Sequence, residues 1–293
     1  MALDGWSSLL RRVRPRQGRD RRRSRGALAV KALAAGLGLL VLSSCHAAPI
    51  YTSSGPVASP RGNTCHKPTV IPMDPKNAQS GVKAGNYYVT NDTWNAGNYG
   101  GLSQSLYVCG YDSWYTIAAM NNDTGDGAVK TSPNVQETWY PTPTRLSDWK
   151  SITSHYSEVP PGTGKDYGTW EFEYDIWLNG IADSKSTEVM IWTFDNGQSP
   201  NGSLSGTFTS AGHTYDVYRS PSPNQYIAFV DKTGKLSGNV DLTGFFNYVI
   251  SKGWIPGSST LYQICHGVEL VSTNAKPEKF TFNDFSINMQ PYS

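Results

Sequence analysis

The sequence predicts an all-β protein, a sandwich or barrel built from many short strands. Short segments rich in Val, Ile, Thr and aromatic residues alternate with turn residues from about position 86 to the C-terminus. Charged residues make up only 16% of the 293 residues, whereas the chain contains 17 Tyr, 9 Trp and 29 Gly. This composition is typical of a turn-rich β protein and excludes a disordered chain, which needs high charge and few aromatic residues.

The strand candidates share alternation of apolar and polar residues and are bounded by turns. They are 86–90, 105–111, 114–120, 169–179, 187–194, 205–210, 213–220, 224–231, 259–271 and 279–289. One helix interrupts them. Asp241 is a typical N-cap residue, and apolar residues recur at helical spacing from Leu242 to Ile250, with a stop signal at Gly253. We expect this helix to pack against the outside of a sheet.

Residues 1–45 predict a signal peptide. Nine Arg and one Lys lie within residues 1–31, and an apolar segment follows that is too short and too interrupted for a membrane span. The sequence "LSSC" ending at Cys45 resembles a bacterial lipobox, in which this cysteine is lipidated. Cleavage near Ala47 or Ala48 is the alternative. Both predict an exported protein, either secreted or lipid-anchored on the outer face of the membrane.

The remainder of the chain predicts one linker and one folded domain. Residues 46–63 are rich in Ser, Pro and Gly, as flexible linkers are. Residues 64–293 form the folded domain, in which acidic residues outnumber basic ones, so a nucleic-acid partner is not expected. In an exported protein we expect a disulfide between Cys65 and Cys109, with Cys265 left as a thiol. No Cys or His spacing indicates a metal site.

Carboxylates recur on the less apolar faces of three predicted strands. Strand 169–179 places Glu171, Glu173 and Asp175 on one face, because successive strand residues alternate in direction. This face is either a solvated outer surface or a functional one. In strand 187–194, Glu188 shares a face with three large residues. These are Met190, Trp192 and Phe194.

Strand 259–271 carries the third carboxylate. Glu269 lies on the same face as Gly267, whose missing side chain is expected to leave open space for a ligand. His266 lies on the mainly apolar face, where we expect a hydrogen-bonded core histidine rather than a catalytic base.

Two carboxylates facing each other across a groove are what polysaccharide hydrolysis requires. One acts as nucleophile or base, and the other, protonated, donates a proton to the leaving oxygen. Exposed Trp side chains in such a groove offer flat surfaces on which sugar rings stack. The chain lacks the GxSxG, HExxH, P-loop and dinucleotide-binding motifs of other enzyme classes.

Six segments, in chain order, resemble glycoside hydrolase family 12. They are "YVTNDTWNAG" (88–97), "YDIWLNG" (174–180), "EVMIWTFDNGQ" (188–198), "VDLTGFFNYVISKGW" (240–254), "GVELVST" (267–273) and "FTFNDFSINM" (280–289). The resemblance covers roughly residues 64–290. It implies a β-jelly-roll sandwich of two curved antiparallel sheets, with a concave substrate cleft and one helix packed outside. It also implies a retaining endo-β-1,4-glucanase (cellulase).

The resemblance also assigns roles to residues. By motif, Glu188 is the nucleophile, Glu269 the general acid/base and Asp175 an auxiliary carboxylate beside Glu188. Five further positions are expected to bind substrate. They are Trp94 as a sugar-stacking residue, Met190 and Trp192 on the cleft floor, and Asp92 and Glu171, which stand where the family has neutral amides.

The sequence is also compatible with other functions. A xyloglucan-specific endoglucanase and a family 11-like xylanase are the enzyme alternatives, and a β-sandwich carbohydrate-binding protein is the non-enzyme alternative. The expected partner is a β-glucan polysaccharide. We expect a monomer that needs no cofactor and no metal.

Overall fold

The computed structural model describes residues 65–74, 76–221 and 225–292. The predicted signal peptide (1–45) and linker (46–63) lie outside the described residues. Within the described ranges the chain forms sixteen β-strands and one α-helix, and the all-β prediction is confirmed. No helix in this part of the chain is long and apolar enough to cross a membrane.

The elements follow one another in this order. They are β1 (Thr69–Pro72), β2 (Gly81–Ala84), β3 (Tyr87–Thr90), β4 (Ser103–Gly110), β5 (Ser113–Ala119), β6 (Asn134–Thr138), β7 (Thr144–Arg145), β8 (Trp149–Val159), β9 (Thr169–Leu178), β10 (Thr187–Asn196), β11 (Ser203–Ser210), β12 (His213–Ser220), β13 (Gln225–Asp231), β14 (Ser237–Asp241), α1 (Leu242–Ser251), β15 (Thr260–Ser272) and β16 (Glu278–Pro291).

The strands form two sheets, and the predicted jelly-roll sandwich is confirmed. The smaller sheet has the order β1-β4-β5-β16-β8-β14. The larger has the order β11-β12-β13-β10-β9-β15-β6-β3-β2, with β7 pairing beside β15. Neighbouring strands in both sheets are antiparallel except β10 and β13, which are parallel. Strand β9 therefore lies in the middle of the larger sheet, between β10 and β15.

The core lies between the two sheets and is rich in aromatic rings. The apolar face of β9 contributes Trp170, Phe172 and Tyr174, each with no exposed surface. Phe282 of β16 stacks on Trp114 of β5 with ring centroids 3.9 Å apart. Large rings bury much apolar area per residue, so burial of these aromatic side chains stabilises the packing of one sheet on the other.

The helix begins and ends where the sequence signals predict. The Asp241 carboxylate accepts a hydrogen bond from the backbone N–H of Gly244 at 3.2 Å, and the helix stops two residues before Gly253, whose φ is +68°. Phe245 packs edge to face on Phe229 of β13 and Phe208 of β11, with centroids 4.9 Å away in both cases. The helix thus covers the core-facing side of β11–β13.

The sequence pattern did not predict six of the strands, of which β8 is the longest. The missed strands are β1, β2, β6, β7, β8 and β14. In β8 the buried positions are Ile152, Ser154, Tyr156 and Glu158. Two of these four are polar, so the alternation of burial is not an alternation of hydropathy.

The expected position of Phe194 is wrong, because a β-bulge interrupts β10. Trp192 pairs with Glu173, but the next pair is Phe194 with Phe172. The extra residue reverses the alternation. Phe194 therefore turns to the core and stacks on Trp170 at 5.9 Å, and Asp195 takes the other face.

The disulfide between Cys65 and Cys109 is present, with Cα atoms 5.5 Å apart. It ties the start of the described chain to β4. Cys265 is a buried thiol on β15.

Candidate active site

Three adjacent strands bring the predicted carboxylates onto one face of the larger sheet. This surface, which we call the cleft face, is the side of β9 that carries Glu171, Glu173, Asp175 and Trp177, opposite the apolar core side. The neighbouring strands β10 and β15 add Glu188 and Glu269. Strand pairing, not proximity in sequence, assembles this group.

Asp175 is held beside Glu188. In the β9–β10 register Asp175 is opposite Met190, and Trp177 is opposite Glu188. Asp175 and Glu188 are therefore diagonal neighbours on the same face, within reach of long side chains. The indole N–H of Trp177 donates to Asp175 Oδ2 at 3.0 Å, which fixes the carboxylate.

Glu269 lies on the other side of β9, directly opposite Glu171. The open space expected beside Gly267 is not there. A Cβ atom on Gly267 would collide with the carbonyl oxygen of Pro133 and with Asn134. This glycine is required because the chain at the start of β6 approaches closely, and it does not serve ligand access.

The five carboxylates are buried, which excludes the solvated-surface reading. Glu171, Glu173 and Asp175 have no exposed surface, and Glu188 and Glu269 each retain 3%. Burial, followed by the negative charges of Asp175 and Glu269, raises the pKa of Glu188 well above its usual range. Burial also raises the pKa of Glu269 to about 7, although the neighbouring Glu171 carboxyl lowers this pKa.

Asp92 is buried next to this group and is engaged by protein donors. Gln79 Nε2 donates to Asp92 Oδ1 at 2.6 Å, and Asn134 Nδ2 lies 3.4 Å from Oδ2. Burial raises the pKa of Asp92 well above its usual range, and the charges of Asp175 and Glu269 add to the shift. With no exposed surface, this carboxyl lies beneath the surface that a sugar would touch.

The predicted aromatic platforms differ in exposure. Trp94 is partly exposed, and its indole N–H has no hydrogen-bond partner among the described residues. Trp192 and Met190 lie on the cleft face, but they keep only 2% and 1% exposure because they pack against Tyr226 and Ala228 of β13.

Three further residues of the cleft face were not among the predicted site residues. Glu173 and Trp177 share the face of Asp175 by simple alternation, so the signal was present in the sequence. Tyr226 stands opposite Glu188 in the parallel β10–β13 pair, and the Glu188 charge adds to the burial that raises the pKa of its phenol. No local sequence pattern indicates that pairing.

His266 lies on the core side of β15, as its apolar neighbours predict. It has no exposed surface, its Nδ1 atom is 3.1 Å from the carbonyl oxygen of Glu173, and its ring stacks on Phe285 at 5.5 Å. Within residues 65–74, 76–221 and 225–292, no three His, Cys, Asp or Glu side chains are grouped to hold a metal ion.

A jelly roll that carries two glutamates on strands flanking a third has the paired carboxyl groups that glycoside hydrolysis requires. The family model for "Glycosyl hydrolase family 12" matches residues 85–290. The chain belongs to this family of glycoside hydrolases.

Solved structures share this fold. A family 12 xyloglucanase from Bacillus licheniformis superposes with a TM-score of 0.64 at 22% identity, over 76% of this chain and 100% of that one. An endoglucanase from Rhodothermus marinus gives 0.60 at 25% identity, over 78% and 99%. Endoglucanase 3 from Trichoderma harzianum gives 0.62 at 22% identity, over 78% and 96%. A search of curated protein sequences returned no match.

Proposed function

We propose that this glycoside hydrolase is an endo-β-1,4-glucanase that retains anomeric configuration, with Glu188 as nucleophile and Glu269 as general acid/base. The observation that carries the proposal is the placement of these two glutamates on the cleft face of β10 and β15, with Asp175 of β9 next to Glu188.

In the first proposed step the Glu188 carboxylate attacks the anomeric carbon. The bond between that carbon and the glycosidic oxygen breaks, and the proton of Glu269 passes to the departing oxygen. The product is a glycosyl ester on Glu188, together with the released part of the chain.

In the second proposed step the Glu269 carboxylate takes a proton from water, and the water oxygen attacks the same carbon. The ester bond to Glu188 breaks and its carboxylate is restored. Because the carbon is inverted twice, the product keeps the starting configuration.

Burial explains how Glu269 holds its proton. A pKa of about 7 leaves this carboxyl mostly protonated in mildly acidic solution, as a general acid must be. Burial raises the pKa of Glu188 as well, so the direction of the pKa shift does not tell the nucleophile from the general acid/base. The division rests on the "EVMIW" and "GVEL" motifs.

Three buried polar atoms are suited to a hydroxyl-rich ligand. The indole N–H groups of Trp94 and Trp192 and one carboxylate oxygen of Glu188 are buried without a hydrogen-bond partner among the described residues. Buried polar groups are normally satisfied, so hydroxyl groups of a glucan are suitable partners.

Xyloglucan is the second substrate candidate. The Bacillus licheniformis relative is a xyloglucanase, and the Rhodothermus marinus and Trichoderma harzianum relatives are endoglucanases. Release of reducing ends from carboxymethylcellulose, barley β-glucan, xyloglucan and xylan, assayed in parallel, separates these activities. We expect the first two to be cleaved; cleavage of xyloglucan alone would favour the second candidate, and cleavage of xylan alone would overturn both.

Glu188→Gln tests the nucleophile. We expect turnover to fall at least about 10⁴-fold while glucan binding persists, because the attacking carboxylate is replaced by an amide. Glu137→Gln is the matched control, since Glu137 is a half-buried glutamate on the core side of β6 and should keep activity. Unchanged turnover in Glu188→Gln would refute the assignment. NMR of the first-formed anomer tests retention.

Export belongs to the same proposal and rests on the Arg-rich and apolar segments of residues 1–45. Fractionation of cells that produce the wild-type chain or the Cys45→Ala variant distinguishes lipid anchoring from free secretion. A lipoprotein leaves the membrane fraction when Cys45 is replaced, whereas a freely secreted enzyme reaches the medium in both cases.

A further inference from the structure

Glu171 and Glu269 form a pair of facing carboxyl groups. They are direct partners in the β9–β15 register and point to the same face of the sheet. Both are buried, with 0% and 3% exposure. Direct cross-strand partners are the closest side-chain neighbours that a sheet offers, and the charge of Glu269 adds to the burial that raises the pKa of Glu171.

No donor among the described residues satisfies Glu171. Neither of its carboxyl oxygens accepts a hydrogen bond from another side chain or from the backbone. Two ionised carboxylates cannot hydrogen-bond to each other, since both only accept. The contact between Glu171 and Glu269 becomes a hydrogen bond only when one of them carries a proton.

The surroundings favour that proton. Five carboxyl groups and one phenol act on this pair. They belong to the neighbouring strands and to the segment after β3. They are Glu173 and Asp175 on β9, Asp195 and Glu188 on β10, Tyr226 on β13, and Asp92. Because none of these groups is a cation, a second negative charge on the pair would add to the negative charge that already surrounds it in a buried site.

We place the proton on Glu171 when only one of the two carboxyls is protonated. Both of its oxygens are buried without a donor among the described residues, so its ionised form would be unsupported, and burial together with the Glu269 charge raises its pKa well above the usual range. In this state the Glu171 hydroxyl donates and the Glu269 carboxylate accepts.

We propose that Glu171 is a positioning residue that donates a hydrogen bond from its protonated carboxyl to Glu269 and thereby sets the pH range of the acid/base. This role replaces the sugar contact expected from the sequence. It rests on the proposed function of Glu269. The consequence is that the enzyme loses its general acid at a lower pH than burial alone would impose.

The test compares two substitutions at position 171 through the pH dependence of kcat/KM on barley β-glucan. Glu171→Gln keeps a donor that does not titrate, so the alkaline limb should stay within about 0.3 pH units of wild type. Glu171→Met removes the donor at similar size, so the limb should move to higher pH by about one unit, because a hydrogen bond to a charged group is lost. Glu137→Met is the control, because Glu137 lies on the core side of β6, on the opposite face of the sheet from the pair, and it should leave the limb in place.

Two outcomes would overturn the proposal. One is a Glu171→Met profile that keeps the wild-type limb while kcat/KM falls uniformly, as loss of a sugar contact would produce. The other is a limb that moves equally in Glu171→Gln and Glu171→Met, which would mean that the donor is irrelevant.

A second readout does not depend on activity or on the Met variant. ¹³C NMR titration of labelled glutamate carboxyls in wild-type protein should show one group keeping its proton while its neighbour ionises, and Glu171→Gln should abolish the former signal. Two carboxyls that ionise independently would overturn the pair. If the protein cleaves no glucan, the proposed function fails, yet this titration still decides the pairing.

Discussion

Glu158 and His266 meet in the middle of the core, where Glu158 Oε2 lies 3.4 Å from His266 Nε2 and both side chains are fully buried. Glu158 belongs to β8 of the smaller sheet and His266 to β15 of the larger one. Thr193 of β10 donates to Glu158 Oε1 at 2.7 Å. His266 Nδ1 lies 3.1 Å from the Glu173 carbonyl oxygen of β9. One carboxyl group from the smaller sheet therefore contacts the core side of β10 and β15, and His266 links it to β9 between them.

Loss of His266 should destabilise the fold. His266→Phe leaves a buried Glu158 carboxyl without its partner, so we expect the free energy of unfolding to fall by about 3 kcal/mol. Glu158→Leu combined with His266→Phe should recover part of this loss, because neither partner then remains unpaired. Urea denaturation of the three proteins measures both changes.

His155→Phe is the matched control. His155 lies 3.4 Å from Asp284, but the two side chains are 41% and 52% exposed, so this change should alter stability by less than about 0.5 kcal/mol. Equal effects of the two substitutions would show that the core pair contributes nothing beyond a surface pair.

The buried carboxyls predict that the protein is more stable in mild acid than in mild base. Burial raises the pKa of Glu269 and of Glu137 to about 7 in the folded chain, whereas an unfolded glutamate ionises near pH 4.5. Between these values the folded state binds more protons, so stability is complete below about pH 4.5 and declines as pH rises to about 7.

Urea unfolding at pH 5 and pH 8 measures this decline. For a fully buried carboxyl such as Glu269 the loss is on the order of 3 kcal/mol. Glu171→Gln combined with Glu173→Gln should reduce the decline, since two buried groups no longer titrate. Equal or greater stability at pH 8 in the wild-type protein would contradict the prediction.

Trp94→Ala should weaken substrate binding. Loss of a stacking surface costs about 0.5–1.5 kcal/mol, so KM for soluble β-glucan should rise between about 2-fold and 10-fold, while kcat changes less. Trp94→Phe should retain most of the binding, because a flat ring remains. Tyr292→Ala serves as control, since Tyr292 is 64% exposed at the end of the smaller sheet. A KM unaffected by Trp94→Ala would remove this residue from the binding site.

Removal of the disulfide should destabilise the protein without changing its activity at low temperature. Cys65 and Cys109 are 44 residues apart, and a loop of this length corresponds to about 4 kcal/mol in the chain-entropy account. Thermal unfolding of Cys65→Ser with Cys109→Ser measures the loss. An unchanged Tm would mean that the unfolded chain is not restrained by this bond.

Local patterns were sufficient for ten of the sixteen strands in the described part of the chain, for the helix and for the face of each carboxylate. Alternation placed Glu171, Asp175 and Glu269 on the correct side of their strands, since direction along a strand depends only on a period of two. The same rule failed at Phe194, because a single bulge reverses the alternation and the residue types do not indicate the bulge. It also missed β8, where Glu158 and Ser154 face a core that supplies them with partners.

The sequence by itself determined the all-β class, the capped helix, the family and the identity of the acidic residues. Only the tertiary structure decided which of those residues are partners. The pairing of Glu171 with Glu269 and of Glu188 with Tyr226 depends on strand order and register. These are set by contacts between segments far apart in the chain, and burial of such contacts then raises the pKa values that the proposed chemistry uses.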